Sequence, residues 1–179
     1  MLKGDHIAED FQALLDAYTA RAHLGDLHGR HVAIVGDVKH SRVARSNIEI
    51  FTKLGARVTL VAPPTLLPAD TAAWDVEVSH RLDPVLEHVD VCYLLRMQRE
   101  RMTEALVPSL REYTAGYGLS VERAARMAPG SIIMHPGPMN RGVEIDSAVA
   151  DGAQSVILEQ VTFGIAVRMA VMSILAGNR

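Results

Sequence analysis

Apolar and polar positions follow two different periods along this chain, and the two periods alternate from segment to segment. Short apolar runs bounded by turn residues predict buried strands at His31–Val35, 57–61, 76–78, 91–95 and 131–134. Apolar residues at helical spacing predict helices at 5–24, 42–54, 84–88, 121–127 and 157–175. Glycine and proline residues separate many of these segments, which places turns between them.

The alternation of strands and helices predicts an α/β fold. Because parallel strands are joined by right-handed helical crossovers, the predicted sheet is doubly wound, mainly parallel and Rossmann-like, with helices on both faces. A chain of 179 residues, 49% of them hydrophobic, can bury one good core, whereas two full domains would be cramped. We therefore predict a single domain over residues 1–179, without repeats, low-complexity tracts or linkers.

Composition and charge disfavour several function classes. The net charge of -3 and the mixed charge signs provide no basic field for nucleic acid. The sequence shows no uninterrupted apolar run of membrane-spanning length, so no membrane partner is expected. Residues 1–5 lack the apolar core of a secretory signal, and Cys92, the one cysteine, cannot form an intrachain disulfide. These features predict a cytoplasmic protein.

The most informative segment is the turn and helix start that follow the strand His31–Val35. Backbone N–H groups at a helix start bind anions, and Arg42 adds a planar fork of donors that fits a carboxylate or a phosphate. A dinucleotide site is disfavoured, because only Gly36 is present where that site needs several glycines. Arg45 is interpreted as a solvated surface charge. The segment predicts a small, negatively charged ligand.

Polar residues also follow the strand at 91–95, and the ends of parallel strands meet at one edge of a sheet. Arg96 and Gln98 alternate around Met97, so in an extended backbone both side chains project to the same side. A guanidinium beside an amide suits a second carboxylate. Considered without the Arg42 turn, the pair is explained equally well as a solvated strand end.

The strand at 131–134 is followed by a rigid turn at 135–138, His-Pro-Gly-Pro. Its two prolines have no N–H group, which leaves carbonyl groups in the turn available to an amide or amine ligand. A single histidine or a proline-rich turn is more often structural. The functional interpretation therefore depends on three polar loops sharing one edge of the sheet.

Together, these residues resemble the aspartate-binding domain of the aspartate carbamoyltransferases. The resemblance rests on four segments in the same order, at 12–16, 36–46, 96–101 and 135–138. It covers nearly the whole chain, including residues 61–68 and the last helix. The Arg-x-Gln segment, and His-Pro in the last loop, resemble the aspartate enzymes more than the ornithine enzymes.

The resemblance implies a role for each matching residue on the aspartate side. Arg42, Arg96 and Gln98 would bind the two carboxylates of L-aspartate, which agrees with the bidentate chemistry of arginine. In this family the amino group of aspartate attacks the carbonyl carbon of carbamoyl phosphate, phosphate leaves, and carbamoyl aspartate forms for pyrimidine synthesis. Positioning and charge stabilisation carry this reaction, so the resemblance implies no metal and no cofactor.

On the carbamoyl phosphate side, the resemblance implies that His135 and the backbone carbonyls of Pro136 and Gly137 line the site. Gln12 keeps its place in the first helix, and the resemblance assigns Gln12 and His135 to catalysis. Gly137-Pro138 is a candidate cis peptide bond.

Two features depart from the family pattern. The domain that carries the Ser-Thr-Arg-Thr phosphate-binding motif has no counterpart in this sequence, so carbamoyl phosphate is expected to bind only together with that domain. Where the family reads His-Pro-Thr before the glutamine, this chain reads Glu9, Asp10 and Phe11. Two carboxylates near the expected place of a doubly negative substrate disfavour its binding.

Two functions therefore remain open. The chain is either the aspartate-side half of a transcarbamylase, inactive without its carbamoyl phosphate domain, or a non-catalytic domain, natural or redesigned, with at most weak dicarboxylate binding. Because the first and last helices contact the other domain in this family, we expect uncovered apolar faces that invite self-association into a homo-oligomer. These faces carry Leu15, Ile165, Val167, Met169 and Met172.

Overall fold

The computed structural model describes residues 7–98, 107 and 109–177, with the side chains of the first helix described from Asp10 onward. Its strands are β1 (His31–Val35), β2 (Arg57–Val61), β3 (Glu77–Ser79), β4 (Val91–Leu94) and β5 (Ile132–Met134). Its helices are α1 (Ile7–Leu24), α2 (Arg42–Lys53), α3 (Asp83–Leu86), α4 (Leu110–Tyr117), α5 (Val121–Ala124), α6 (Ser147–Ala150) and α7 (Ile157–Gly177).

The strands form one parallel sheet in the order β3-β2-β1-β4-β5. β1 lies at the centre, where Val32 pairs with Val58 of β2 on one side and with Val91 of β4 on the other. The chain moves outward from β1 through β2 to β3, then returns to the far side of β1. This reversal opens a crevice at the carboxyl ends of β1 and β4, where sheets of this kind bind ligands. The predicted doubly wound α/β fold is confirmed.

Alternate residues of the central strands supply two hydrophobic cores, one on each face of the sheet. Ile34 lies in a core with Phe51 of α2, whereas Val35 lies in a second core with Leu86 of α3. Because both faces are covered by helices, the central strands are mainly apolar in sequence. Cys92 lies buried in the second core as a free thiol.

The structure differs from the sequence-based prediction in two short helices and in several boundaries. The hydrophobic pattern predicts neither α4 nor α6. α4 has a local signal of a different kind, because Ser109 caps it by accepting a hydrogen bond from the backbone N–H of Glu112 at 3.1 Å. This Ser-x-x-Glu spacing is typical of a helix start. β1 and β2 match their predicted bounds, and where other described boundaries differ from the prediction they shift by one to three residues.

α7 is the one described helix that has the length and composition of a candidate membrane span, although polar residues interrupt its apolar sequence. Its 21 residues have a mean hydropathy of 1.5, and by length and composition alone the helix is able to cross a membrane. Arg168 interrupts the apolar sequence near the middle of the helix. At the centre of a bilayer an arginine costs about 2.5–3.5 kcal/mol on insertion scales, which favours protein as the neighbour of this helix.

One side of α7, hereafter the apolar face of α7, carries Leu158, Val161, Ile165, Met169 and Met172, whose exposed fractions are 65–77%. The expectation of an uncovered surface is therefore confirmed for this side of the helix. It is wrong for Leu15, which is 5% exposed because it packs against Gly164 of α7. Val167 is half-buried.

His31 is the first residue of β1, at the end of the strand opposite the crevice. It is buried and contacts polar groups through both ring nitrogens. Nε2 lies 2.7 Å from Thr59 Oγ1, and Nδ1 lies 3.0 Å from both the His88 carbonyl and the Arg57 guanidinium. Burial, followed by the neighbouring charge of Arg57, lowers the pKa of His31 below the ordinary histidine value. The folded chain therefore takes up this proton less readily than the unfolded chain does.

We expect the free energy of unfolding to fall as the pH drops below about 6.5, the ordinary histidine pKa. This contribution is fully present above that pH and is lost as the pH falls towards the lower folded pKa, with about 1.4 kcal/mol for each unit of separation. Urea denaturation at about pH 7.5 and pH 5.5 measures the loss. His31→Gln should reduce it, whereas His28→Gln, at an exposed residue, should not. Equal losses in the two variants would contradict the assignment to His31.

Candidate functional site

The turn between β1 and α2 is shaped by close packing at the crevice. Gly36 has φ +119°, and a Cβ atom there would lie 2.8 Å from the Tyr113 hydroxyl and 3.2 Å from the Leu95 carbonyl oxygen. Asp37 is fully buried, accepts a hydrogen bond from the His40 backbone N–H at 3.2 Å and lies 2.8 Å from His40 Nδ1. Gly36 thus allows close approach of protein groups in a turn that Asp37 holds rigid.

α2 begins at this turn with a cap and a cation. Ser41 accepts a hydrogen bond from the Ala44 backbone N–H at 3.1 Å, and the first turn of the helix carries no acidic residue. Arg42 occupies the first helical position and is exposed, as is Arg45 one turn later. Helix N–H groups and a guanidinium together make the mouth of the crevice favourable for an anion.

Arg96 and Gln98 follow β4 on the other side of the crevice. The Leu95 backbone N–H donates to the Val35 carbonyl at 2.8 Å, which keeps this segment beside the end of β1. Met97 is 1% exposed, whereas Arg96 and Gln98 are both half-buried. Their burial follows the alternation that the sequence predicts. The segment 96–101 resembles the aspartate carbamoyltransferases, and its residues 99–101 lie outside the described residues.

The turn at 135–138 after β5 is held from inside the protein by His135. The buried imidazole accepts a hydrogen bond from the Gly137 backbone N–H through Nδ1 at 2.9 Å. A neutral ring that accepts at Nδ1 carries its proton on Nε2, and Nε2 lies 3.3 Å from Glu144 Oε1, at ion-pair distance but without hydrogen-bond geometry. Glu144 Oε1 also accepts from the backbone N–H of Asn140 at 2.5 Å.

The backbone of this turn faces solvent, whereas the His135 ring does not. Gly137 and Pro138 are exposed, Pro136 is half-buried, and the peptide bond between Gly137 and Pro138 is cis, as the resemblance predicts. The arrangement suits recognition of a ligand by backbone carbonyl groups. A catalytic role for the His135 side chain stays a prediction, because its ring faces Glu144.

Gln12 lies on α1 and contacts a buried carboxylate, Asp16. Burial raises the pKa of Asp16, although its hydrogen bonds act in the opposite direction. Asp16 accepts four hydrogen bonds, from Gln12 Nε2 at 2.8 Å, Gln160 Nε2 at 2.9 Å, Asn47 Nδ2 at 2.9 Å and the Tyr93 hydroxyl at 2.5 Å. Because Gln160 also binds the His135 backbone, Gln12 is connected to the 135–138 turn through two residues.

The sequence analysis assigns no role to Glu144, to Gln160 or to Asp16, although Asp16 ends the resembling segment 12–16. A signal existed for Asp16, which interrupts the buried stripe of α1 between Leu15 and Ala17. A polar residue at a buried helical position needs hydrogen-bond partners, and such partners connect elements that lie far apart in the chain.

A second cleft, of about 470 Å³, lies between α3, α4 and α5, away from the crevice. Asp83 there contacts Arg123 at 3.0 Å and Arg126 at 2.9 Å, and these arginines lower the pKa of the Asp83 carboxyl. The charges of Asp83, Arg123 and Arg126 are therefore paired with one another. No cluster of three or more potential metal-ligating side chains occurs among the described residues. The crevice is the better candidate for a ligand site.

Comparison with known proteins identifies the family of this chain. The family model of the aspartate/ornithine carbamoyltransferase Asp/Orn binding domain matches residues 28–175. This chain belongs to that family. The matched carbamoyltransferase region includes the loops that follow β1, β4 and β5.

Two bacterial relatives narrow the similarity to the aspartate enzymes. This chain is 58% identical to the aspartate carbamoyltransferase catalytic subunit of Thermobifida fusca over 167 residues. The aligned region covers 93% of this chain and 53% of that protein. This chain is 60% identical over 165 residues to the same subunit of Gluconacetobacter diazotrophicus, covering 92% and 51%. The chain spans about half the length of these relatives.

Solved structures show the same fold in an aspartate transcarbamoylase from Trypanosoma cruzi. The structure in complex with carbamoyl aspartate and phosphate has a TM-score of 0.77 at 27% identity, and the match covers 90% of this chain and 54% of that one. The complex with N-(phosphonacetyl)-L-aspartic acid has a TM-score of 0.78 at 27% identity, with the same coverage. About half of that enzyme therefore corresponds to this carbamoyltransferase domain.

Proposed function

We propose that this domain binds L-aspartate in the crevice between β1 and β4, as the aspartate-binding half of an aspartate carbamoyltransferase. The placement of Arg42 on one side of the crevice, and of Arg96 and Gln98 on the other, carries this proposal. Two guanidinium groups and an amide match the two carboxylates of a small dicarboxylic acid. The related T. cruzi enzyme has been solved with carbamoyl phosphate and aspartate together, which supports the choice of ligand.

In the proposed reaction, the crevice holds aspartate while the 135–138 turn faces the carbamoyl group. The amine nitrogen of aspartate forms a bond to the carbonyl carbon of carbamoyl phosphate. The bond from that carbon to the phosphate oxygen breaks, phosphate leaves with the electron pair, and the amine loses a proton. Orientation of the two substrates and stabilisation of the developing charge supply the acceleration, without a metal or cofactor.

The proposal treats residues 1–179 as one aspartate-binding domain of a cytoplasmic enzyme whose carbamoyl phosphate domain lies outside this sequence. The chain matches 53% of the T. fusca subunit, so a comparable length of that relative has no counterpart here. The apolar face of α7 supports the proposal, because a large exposed apolar surface is typical of one that another protein part covers. We place the carbamoyl phosphate domain against this face.

Complementation tests this function. The chain is mixed with the separately produced remaining half of the T. fusca catalytic subunit, and carbamoyl aspartate is measured after addition of both substrates. We expect product from the mixture and from neither half alone. Ile165→Asp should lower product formation at least tenfold, since it places a charge on the apolar face of α7. Ala170→Asp, exposed on another side of α7, should not. Absence of product from two folded halves would contradict the proposal.

The start of α1 favours a second function, a non-catalytic domain that binds dicarboxylates at most weakly. Asp10 accepts a hydrogen bond from Ser46 Oγ of α2 at 3.2 Å, which keeps a carboxylate near the helix that carries Arg42. The side chain of Glu9 lies outside the described residues. Binding of succinate without carbamoyl aspartate formation in the mixture would favour this second function.

A further inference from the structure

The side chain of Gln160 joins the last helix to the turn at 135–138. Gln160 is 2% exposed, its Oε1 accepts from the His135 backbone N–H at 3.0 Å, and its Nε2 donates to Asp16 Oδ1 at 2.9 Å. A backbone N–H only donates hydrogen bonds, so the His135 N–H requires Oε1 as its acceptor and leaves Nε2 to face Asp16, which assigns one orientation to the amide. Gln160 therefore uses both ends of its amide in fixed roles.

We propose that Gln160 is a positioning residue for the carbamoyl side of the site. It fixes the backbone of His135, and the ring of His135 in turn accepts from the Gly137 backbone N–H at 2.9 Å. A shift of His135 therefore moves the exposed Gly137, whose carbonyl belongs to the surface that faces the carbamoyl group in the proposed function. The inference rests on that function and adds a residue that makes no contact with either substrate.

The hydrogen bond to Asp16 fixes the position of the Gln160 side chain. The carboxylate is fully buried and is held by donors from α1, α2 and β4 in addition to α7. Only a few described residues of α7 are buried, namely Ile157, Gln160 and Gly164. Gln160 is the polar member of this set. The position in which α7 packs on the domain therefore determines where the Gln160 side-chain amide holds the 135–138 turn. The turn is thus sensitive to the position of the helix whose apolar face is exposed.

The test compares Gln160→Met with Gln154→Met. Gln154 lies outside the site, and its substitution also removes a glutamine side-chain hydrogen bond, the one from Nε2 to Ser131 Oγ at 3.1 Å near the start of β5. The first readout is hydrogen exchange of the His135 amide by NMR. The second is calorimetric affinity for N-(phosphonacetyl)-L-aspartic acid relative to succinate, since the first ligand reaches the carbamoyl side and the second carries only the two carboxylates.

In the wild-type chain we expect the His135 amide to exchange as slowly as the amides of β5. Gln160→Met should speed its exchange at least tenfold and lower the preference for the phosphonate analogue over succinate by about tenfold, the effect expected from losing the hydrogen bond that holds the His135 backbone. Succinate affinity should stay within threefold of wild type, and Gln154→Met should leave exchange, preference and succinate affinity unchanged.

Equal effects of the two substitutions on exchange and preference would overturn the inference, as would rapid exchange of His135 in the wild-type chain. If Gln160→Met does not fold, the wild-type exchange rate still decides the point. Failure of the proposed function gives a different result, because the wild-type chain would then bind neither ligand while its His135 amide remained protected.

Discussion

Arg42→Ala is expected to weaken the binding of succinate to this chain by about 10- to 100-fold. Arg42 stands at the first position of α2, where in the proposed site its guanidinium and the helix N–H groups would act on the same anion. A hydrogen bond to a charged group contributes about 1.5–3 kcal/mol, which corresponds to this loss of affinity. Arg42→Ala together with Arg96→Ala should remove measurable binding. Isothermal titration calorimetry with succinate measures both effects.

The matched control is Arg45→Ala, because Arg45 is also exposed and lies one turn further along α2. Arg45 carries the same charge but is interpreted as a solvated surface residue outside the proposed site. Its removal should therefore change succinate affinity by less than threefold. Arg42→Lys should recover only part of the affinity, since an ammonium group cannot bind a carboxylate through a planar fork. Similar losses for Arg42→Ala and Arg45→Ala would show a general charge effect and contradict a specific site.

Asp16→Ala is expected to lower the free energy of unfolding by about 3–5 kcal/mol, the scale seen when one partner of a buried charged network is removed. The substitution leaves hydrogen-bond donors from four residues unpaired, of which those of Asn47, Tyr93 and Gln160 are buried and that of Gln12 is half-buried. Each unpaired buried donor carries its own desolvation cost. Urea denaturation measures the change, and unaltered stability would contradict the assignment of Asp16 as the link between α1, α2, β4 and α7.

Asp75→Ala is the matched control for Asp16→Ala, because Asp75 is exposed, and it should change stability by at most about 0.5 kcal/mol. Asp16→Asn tests the charge separately. Since burial raises the pKa of Asp16, this group contributes stability that is present below its ordinary value and is lost as the pH rises through the folded value. Asp16→Asn should remove that part of the pH dependence while keeping most of the side-chain volume.

Most of the fold could be predicted because the chain changes from strand period to helix period at each step. β1, β2 and β4 are buried on both faces except at Arg57, so they appear in the sequence as short, mainly apolar runs. α4 could not be predicted from hydrophobic period, because Tyr113 is its one fully buried residue. Its signal lay in the Ser109 cap, which is independent of apolar spacing.

The coverage of α7 could not be predicted from apolar content. The helix is apolar on all sides, so the sequence does not distinguish the side that packs on the domain from the side that remains exposed. Packing against Gly164 buries Leu15, whereas Ile165 points away from the same contact and is 65% exposed. Only the tertiary arrangement of α1 and α7 separates these two residues.

Sequence analysis could predict Arg42, Arg96 and Gln98 as site residues because each follows a strand. The carboxyl ends of parallel strands lie at the same edge of a sheet. Sequence analysis could not predict the side-chain orientations of Gln12 and His135. Their side chains contact Asp16 and Glu144, and these contacts depend on distances that sequence motifs do not encode. Polar residues at buried positions were the available clue to this network.

Isothermal titration of the unmodified chain with succinate and with N-(phosphonacetyl)-L-aspartic acid tests the central claim most directly. We predict saturable binding of both compounds at one site, with the affinity for each reduced by Arg42→Ala and by Arg96→Ala. Such a result would establish that the aspartate half-site forms in this chain. Absence of binding of either compound, measured on a chain shown by circular dichroism to be folded, would contradict the claim.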